Sequence, residues 1–259
     1  MKAIELYNAL CEKIPTSLSC EWDRDGLESC PIPEREVGRV LVALDVTDEV
    51  IDKAVAEGFD VIASHHPVFF GHLENVNALK TNGARAVKLA KHDISVMSFH
   101  TRLDAVEGGV NDTLAARMGL ENITVVEADN DRIMRIGELV SECNAEQFAA
   151  RVKGALSDGD GQATVILSSA GRKVKRVALI GGGGGKFVDI AVSAGADTYV
   201  TGDMNYHEYL SAPEKGVNLI TAGHFHTEYP VCGILADKIR EVCPDACVEV
   251  YYSNRIKAF

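Results

Sequence analysis

Apolar and polar residues recur with two different periods along this chain, and the changes of period predict its helices and strands. Apolar residues at helical spacing between Ile4 and Ile14 predict an opening helix that ends at Pro15. The nearly continuous apolar run at 37–45 is typical of a strand that is buried on both faces. Thr47 then predicts the start of a helix, because its hydroxyl can cap the first backbone N–H groups.

The alternation of strands and helices continues along the rest of the chain. Further strands are predicted at 59–63, 94–99, 133–140, 163–168, 175–180, 197–201, 217–222 and 247–252. Further helices are predicted at 78–92, from 109, and at 144–156, 187–194, 205–212 and 230–242. The polar segment 19–36, which contains two prolines, is predicted to be a loop. This order of elements predicts an α/β fold with two interlinked three-layer domains and largely parallel or mixed sheets.

The division into two domains is predicted from a break in that pattern. A polar stretch at 127–132 interrupts the strand–helix series, which resumes in a different order beyond it. We therefore expect a metal-binding α/β domain formed by 1–127 plus 222–259, and a second α/β domain formed by 128–221.

Composition and charge narrow the classes of partner. The 259 residues include 38 acidic and 26 basic side chains, a net charge of −12, which argues against binding to nucleic acid or to an anionic membrane surface. No apolar run reaches the roughly 18 residues of a membrane span. The seven cysteines are an odd, scattered set without a Cys-x-x-Cys pair, which favours a reduced, cytoplasmic protein.

Three polar clusters follow predicted strands, and together they predict a metal site. They are His65-His66-Pro67, His100-Thr101-Arg102-Leu103-Asp104 and Gly223-His224-Phe225-His226-Thr227-Glu228. Sites in parallel sheets are built at the carboxyl ends of the strands. His224 and Glu228 would share one face of a helix, whereas adjacent histidines on an extended backbone point to opposite sides and suit two neighbouring ions. Imidazole and carboxylate ligands suit zinc, iron, manganese, nickel or cobalt.

Two further features leave alternatives open. The glycine run at 181–185 could be a tight turn with close helix–sheet contact, or it could present backbone N–H groups to a phosphate. It matches neither a Walker loop nor a dinucleotide-binding fingerprint. His207 follows the strand at 197–201 and is a candidate general acid or base, or a residue that supports metal ligands from behind.

The clusters also resemble a known family, the GTP cyclohydrolase I type 2 homologs, which are Ngg-interacting-factor-like di-metal proteins. The resemblance rests on the strings EWDRDGL, VALDVTDEVIDKAVAEGFDVIASHHPVFF, FHTRLDAVEGGVND, GADTYVTGDMNYHEYL and AGHFHTE, in order between about residues 20 and 230. It implies two divalent metal ions per chain, one held by His66 and Asp104, the other by His65 and His224, with Glu228 bridging. It also implies a toroidal homohexamer whose metal sites face an internal cavity.

The resulting functional expectation is a metal-dependent hydrolase. Two ions roughly 3.5–4 Å apart would activate a bridging water against a phosphoester, nucleotide or cyclic amide. The substrate is then an unidentified small molecule. His226, where the family more often has a small or aromatic residue, is a candidate sixth ligand or proton carrier, or it points away from His224. The alternative is a non-enzymatic metal-binding ring for metal storage, metal delivery or protein interaction.

Overall fold

The computed structural model describes residues 1–71, 73, 75–128, 131–157 and 162–257, with the side chain of Ala128 excepted. Residues 129–130 of the polar stretch at 127–132 therefore lie outside the described residues. The described chain forms two compact units. Met1–Val106 and Val231–Arg255 make up the first unit, and Glu107–Pro230 makes up the body of the second.

Helices and strands alternate along most of the described chain. The helices are α1 (Ala3–Lys13), α2 (Asp48–Glu57), α3 (Thr81–Lys91), α4 (Thr101–Ala105), α5 (Val110–Arg117), α6 (Ala145–Ala155), α7 (Val188–Ser193), α8 (Tyr206–Glu214), α9 (His224–Glu228) and α10 (Val231–Val242). The strands are β1 (Leu27–Ser29), β2 (Arg39–Ala43), β3 (Val61–Ser64), β4 (Ser95–Ser98), β5 (Leu120–Ala128), β6 (Asp131–Cys143), β7 (Ile166–Ser168), β8 (Val174–Ile180), β9 (Thr198–Thr201), β10 (Asn218–Thr221) and β11 (Cys247–Val250).

The first unit contains a mixed five-stranded sheet in the order β1-β4-β3-β2-β11. The pairs β4–β3, β3–β2 and β2–β11 are parallel, and β1 pairs antiparallel with β4. All residues of β3 and β4 are buried, which agrees with the continuous apolar character of strands covered on both faces. The central strands are therefore fixed inside the core of this unit, and the residues that follow them begin from fixed positions.

The second unit contains a mixed six-stranded sheet in the order β5-β6-β8-β9-β10-β7. Its centre, β8-β9-β10, is parallel, and the remaining pairs are antiparallel. Apolar side chains of α5 and α6, including Leu114, Phe148 and Val152, are buried in one core cluster with Val177 and Val200 of the sheet. The fold is thus α/β with two mixed sheets, as the order of predicted elements indicated.

Two strands differ from the sequence prediction. β1 lies within the segment 19–36 that was predicted to be a loop, and it is only three residues long and half-buried. β5 was not predicted because it is an edge strand whose described side chains after Leu120 are exposed or half-buried. A continuous apolar run predicts a strand only where both faces of the strand are buried. Neither β1 nor β5 is buried in that way, so the sequence of each lacks this signal.

Helices with the length and apolar surface that a membrane span requires are absent from the described part of the chain. The seven cysteines, all within that part, form no disulfide.

A buried ion pair anchors the segment before α4 in the first unit. The fully buried Arg102 donates from Nε to Asp25 Oδ2 at 2.7 Å. The remaining guanidinium N–H groups donate to the carbonyl oxygens of Ile14 and Ser98, both at 3.2 Å. Asp25 Oδ2 also accepts the backbone N–H of His100 at 2.9 Å. The pair therefore ties the start of α4 to the loop that precedes β1.

Replacement of Arg102 by leucine should lower the free energy of unfolding by roughly 3–5 kcal/mol, because it leaves the Asp25 carboxylate buried without its counter-charge. Urea denaturation followed by circular dichroism measures this loss. Lys13→Ala is the matched control, since the Lys13–Glu241 pair lies on the surface of the same unit, where water screens the ion pair, and its loss should change the free energy of unfolding far less. Equal midpoints for the two variants would contradict the assignment.

Candidate metal centre

The parallel part of the first sheet brings three chain segments to one edge. In its register Ala43 of β2 pairs with Ser64 of β3, and Ser64 pairs with Ser98 of β4. The three strands therefore end side by side, and the residues after them meet at the carboxyl edge where α/β proteins place ligands. Asp45 follows β2, and the histidines of the first two predicted clusters follow β3 and β4.

Three histidines meet at this edge, and we call His65, His66 and His100 the histidine centre. Their ring centroids are 4.9, 5.3 and 5.6 Å apart, and one ring nitrogen from each lies within 4.8 Å of the others. The expectation that His65 and His66 point to opposite sides was wrong. It assumed an extended backbone, but β3 ends at Ser64 and the chain bends at both histidines.

Each ring of the histidine centre is held from behind by an oxygen atom. His65 Nδ1 lies 3.0 Å from the carbonyl oxygen of Phe99, and His66 Nδ1 lies 2.8 Å from Asp45 Oδ1. His100 Nδ1 lies 3.0 Å from Asp23 Oδ1. A neutral imidazole that donates its proton from Nδ1 carries its lone pair on Nε2, the atom that then binds a metal ion. These three contacts therefore select the metal-binding tautomer at all three rings.

A carboxylate lies beside the histidine centre. Asp104 projects from α4 and is only 7% exposed, with Oδ1 3.8 Å from His65 Nε2. A buried carboxylate needs hydrogen bonds or a positive charge to remain ionised. Asp104 and the histidine centre together supply the mixed nitrogen and oxygen donors that divalent transition metals favour.

Asp23 supports His100 as a stable anion. Burial raises the pKa of the Asp23 carboxyl, but hydrogen bonds from His100 and Thr101 lower it by a larger amount. The net pKa of Asp23 therefore lies well below its ordinary value. Thr101 donates to Asp23 Oδ2 from its backbone N–H at 2.9 Å and from its hydroxyl at 2.5 Å. The carboxylate thus stays charged at neutral pH and can accept the Nδ1 proton of His100.

The second unit also carries candidate metal ligands just beyond the carboxyl ends of parallel strands. β8, β9 and β10 are parallel, and Thr201 pairs with both Ile180 and Thr221, so these strands also end side by side. α9 begins directly beyond β10, and its His224 and Glu228 share one face, with Nε2 and Oε2 3.1 Å apart. The pairing predicted from their spacing is thus present. From the turn after β9, Asp203 Oδ2 lies 2.7 Å from His224 Nδ1, as Asp45 does for His66 in the first unit.

The glycine run after β8 forms a tight turn against this pair. Gly181 donates its N–H to Asn111 Oδ1 at 2.8 Å, and Gly182 donates to Thr227 Oγ1 at 3.0 Å. Gly184 donates to Thr201 Oγ1 at 3.0 Å. Three N–H groups of the run are therefore engaged within the protein, which supports the tight-turn alternative over a phosphate cradle.

Gly182 leaves no room for a side chain next to Glu228. A Cβ atom at Gly182 would lie 2.0 Å from Glu228 Oε1 and 3.0 Å from His224 Nε2, and the residue has φ +63°. The carbonyl oxygen of Gly182 accepts N–H groups from Gly202 and Asp203, both at 2.9 Å. The backbone at Gly182 therefore lies against the side chains of His224 and Glu228, and its carbonyl oxygen also fixes the turn that carries Asp203.

The two candidate proton carriers stand apart from these groups. His226 is half-buried on α9, with its ring in edge contact with Phe225, and two residues along a helix from His224 is a different face. His207 is exposed in the first turn of α8, beside Tyr206. Neither joins a candidate metal-ligand group among the described residues. Their roles in proton transfer stay predictions.

Sequence reasoning missed His100 as a ligand candidate and the carboxylates that hold the rings. His100 belongs to a predicted cluster, but the family resemblance implies Asp104, and not His100, as the metal ligand from that cluster. Asp45 and Asp203 each come within two residues of the end of a buried strand, so the rule that found the histidines could have found them as well. Asp23 lies in an irregular segment, where no periodic pattern indicates which way a side chain points.

The donors fit divalent transition metals. Imidazole nitrogens with fixed tautomers and buried carboxylate oxygens suit zinc, iron, manganese, nickel or cobalt, and the absence of thiolates among the grouped ligands of the described residues fits the same set. The close approach of the Gly182 backbone shows that the space around Glu228 is built to hold that carboxylate in one place. The chain thus contains histidine and glutamate groups able to bind a metal ion.

The chain is similar to known proteins along nearly its whole length. A Clostridium perfringens protein named GTP cyclohydrolase 1 type 2 homolog is 31% identical over 261 residues, which cover 99% of this chain and 98% of that protein. The crystal structure of a Staphylococcus aureus hypothetical protein superposes with a TM-score of 0.89 at 29% identity, covering 100% of this chain and 99% of that one. A Bacillus cereus protein related to NIF3 shares the fold, with a TM-score of 0.89 at 23% identity over 100% and 99% of the two chains. The family model described as Duf34/NIF3 (NGG1p interacting factor 3) matches residues 1–258, and the chain therefore belongs to that family.

Proposed function

We propose that this protein binds two divalent metal ions per chain and uses them to hydrolyse a small-molecule substrate. The observation that carries the proposal is the histidine centre, in which three rings converge and an oxygen atom holds Nδ1 of each. A histidine that served only to fill the core would need no such common orientation. The proposal also includes a homohexameric ring, which the family resemblance implies, and a cytoplasmic location, which the cysteine pattern favours.

The proposed ligands are imidazole and carboxylate groups. His66 and Asp104 serve one ion, His65 and His224 serve the other, and Glu228 bridges, as the family resemblance implies. His100 is an additional candidate ligand, because its ring centroid lies 5.3 Å from that of His65 and 5.6 Å from that of His66. The imidazole and carboxylate donors within each unit support metal binding, but in the first unit Asp104 Oδ1 lies 3.8 Å from Nε2 of His65, the histidine assigned to the other ion.

Bound divalent ions would lower the pKa of a coordinated water and polarise a phosphoryl or carbonyl oxygen of the substrate. The residues of the chain prepare for that chemistry. Asp45, Asp23 and Asp203 lie within hydrogen-bond distance of Nδ1 of His66, His100 and His224 and orient these imidazoles. His207 and His226 are the proposed proton carriers. A phosphoester, nucleotide or cyclic amide is the proposed substrate class.

Asp45→Asn should weaken metal binding by about 10- to 100-fold, because it removes the anionic partner that orients His66. Isothermal titration of metal-depleted protein with Zn²⁺ or Mn²⁺ measures the affinity. Asp52→Asn is the control, since Asp52 is an exposed aspartate on α2 of the same unit, where it pairs with Lys88 of α3. Unchanged affinity in Asp45→Asn would contradict the role given to the histidine centre.

Gly182→Ala should reduce the bound metal to about one ion per chain or fewer. The new methyl group would have to displace the Glu228 carboxylate and would strain a backbone with φ +63°. Gly183→Ala is a matched control in the same run, because a Cβ atom there meets nothing within 4 Å. Elemental analysis gives the metal content, and circular dichroism checks folding. Full occupancy in Gly182→Ala would show that Glu228 does not bind metal.

Hydrolysis is tested on protein that retains its native metal, with bis-p-nitrophenyl phosphate, nucleoside triphosphates and a cyclic amide as substrates. We expect turnover that falls at least 100-fold in His66→Ala and Glu228→Gln, with the fold intact. A protein that holds two ions per chain, exchanges them quickly and turns over no member of the panel would instead be a metal-storage or metal-delivery ring.

A further inference from the structure

Two large aromatic side chains stand exposed beside the histidine centre. Trp22 is 58% exposed and Phe70 is 64% exposed. Their ring centroids lie 5.9 and 6.0 Å from that of His100, and both contacts are edge-on. Phe70 also lies 5.9 Å from the ring of His66. The two residues come from different loops of the first unit, one before β1 and one after β3, and meet around the same imidazole.

Burial of apolar surface does not explain this placement. Phe69, the neighbour of Phe70, is only 9% exposed and packs in the core with Ile62 and Val96. Phe70 faces the solvent instead, next to the histidines. Single exposed apolar residues are common on protein surfaces, but two aromatic rings that converge from separate loops on one polar group are typical of a ligand site.

Both aromatic residues are held on anchored backbone. Glu28 accepts the N–H groups of Val68 at 2.9 Å and Phe69 at 3.1 Å, directly before Phe70. Asp23 follows Trp22 and is fixed by His100 and Thr101. The rings are thus displayed from anchored segments, that of Trp22 held by His100 and that of Phe70 held by β1, and a ligand would meet surfaces that need little ordering when it binds.

We propose that Trp22 and Phe70 form an aromatic platform that binds the planar ring of the substrate, with the polar group of the substrate directed to the histidine centre. This inference rests on the proposed function and narrows its substrate class to compounds with a flat unsaturated ring, such as a nucleobase-like heterocycle. Aromatic faces stack on such rings with little regard to their substituents. A saturated or open-chain substrate would lack the stacking contribution that a flat ring gains from these faces.

The chain carries its own reporter, because Trp22 is its single tryptophan. The native, metal-retaining protein is titrated with adenosine, guanosine and N-methylnicotinamide, and with cyclohexanol and ribose as non-planar controls, while the emission of Trp22 is recorded. We expect saturable quenching by at least one planar compound and none by the controls. Phe70→Ala should weaken that binding by about 5- to 150-fold, the range of one aromatic stacking contact. Leu79→Ala, which alters a residue 96% exposed in the same unit, should not weaken it.

The outcomes separate this inference from the proposed function. Saturable quenching without turnover of any substrate would support the platform and count against the hydrolase. Turnover without quenching by any planar compound would overturn the platform and leave the hydrolase standing. Blue-shifted emission that acrylamide fails to quench would also overturn it, because a second copy of the chain would then cover Trp22.

Discussion

The hydrogen-bond ladder that keeps β2, β3 and β4 parallel determines where the chemistry of this protein can be. Parallel pairing makes neighbouring strands end at one edge, so residues that are about twenty to thirty-five positions apart in sequence begin from adjacent points. The second sheet applies the same constraint to β8, β9 and β10. Every candidate ligand group follows from that geometry, because each lies within a few residues of such a strand end.

A second layer of oxygen atoms converts these positions into a usable donor set. An imidazole can rotate and exchange tautomers, and a ring in the wrong state presents N–H where a cation needs a lone pair. Asp23, Asp45 and Asp203 prevent this by accepting from Nδ1. Part of the net charge of −12 is therefore structural support for the histidines rather than a general aid to solubility. The same carboxylates keep negative charge close to where cations would bind.

The sequence was sufficient to predict the buried strands and the clusters that follow them, because an apolar run and a polar turn are both local signals. The pairing of His224 with Glu228 was also predictable, since helical spacing determines it. The direction of the Asp23 side chain and the exposure of the Trp22 and Phe70 rings were not predictable, because irregular segments take their direction from long-range contacts such as the Arg102–Asp25 pair. The edge strand β5 was missed for a related reason: its partner, not its own apolar content, makes it a strand.

The close contact between the Gly182 backbone and the Glu228 side chain also restricts which substitutions this protein can accept over evolutionary time. Single-base changes of a glycine codon that replace the glycine lead only to residues with a Cβ atom or to a stop, and each such residue would meet the Glu228 carboxylate. No amino-acid substitution at position 182 is therefore neutral while the side chain of Glu228 keeps its length and direction. Drift at one position must wait for a compensating change at the other, so the two positions form a coupled pair across forty-six residues of sequence.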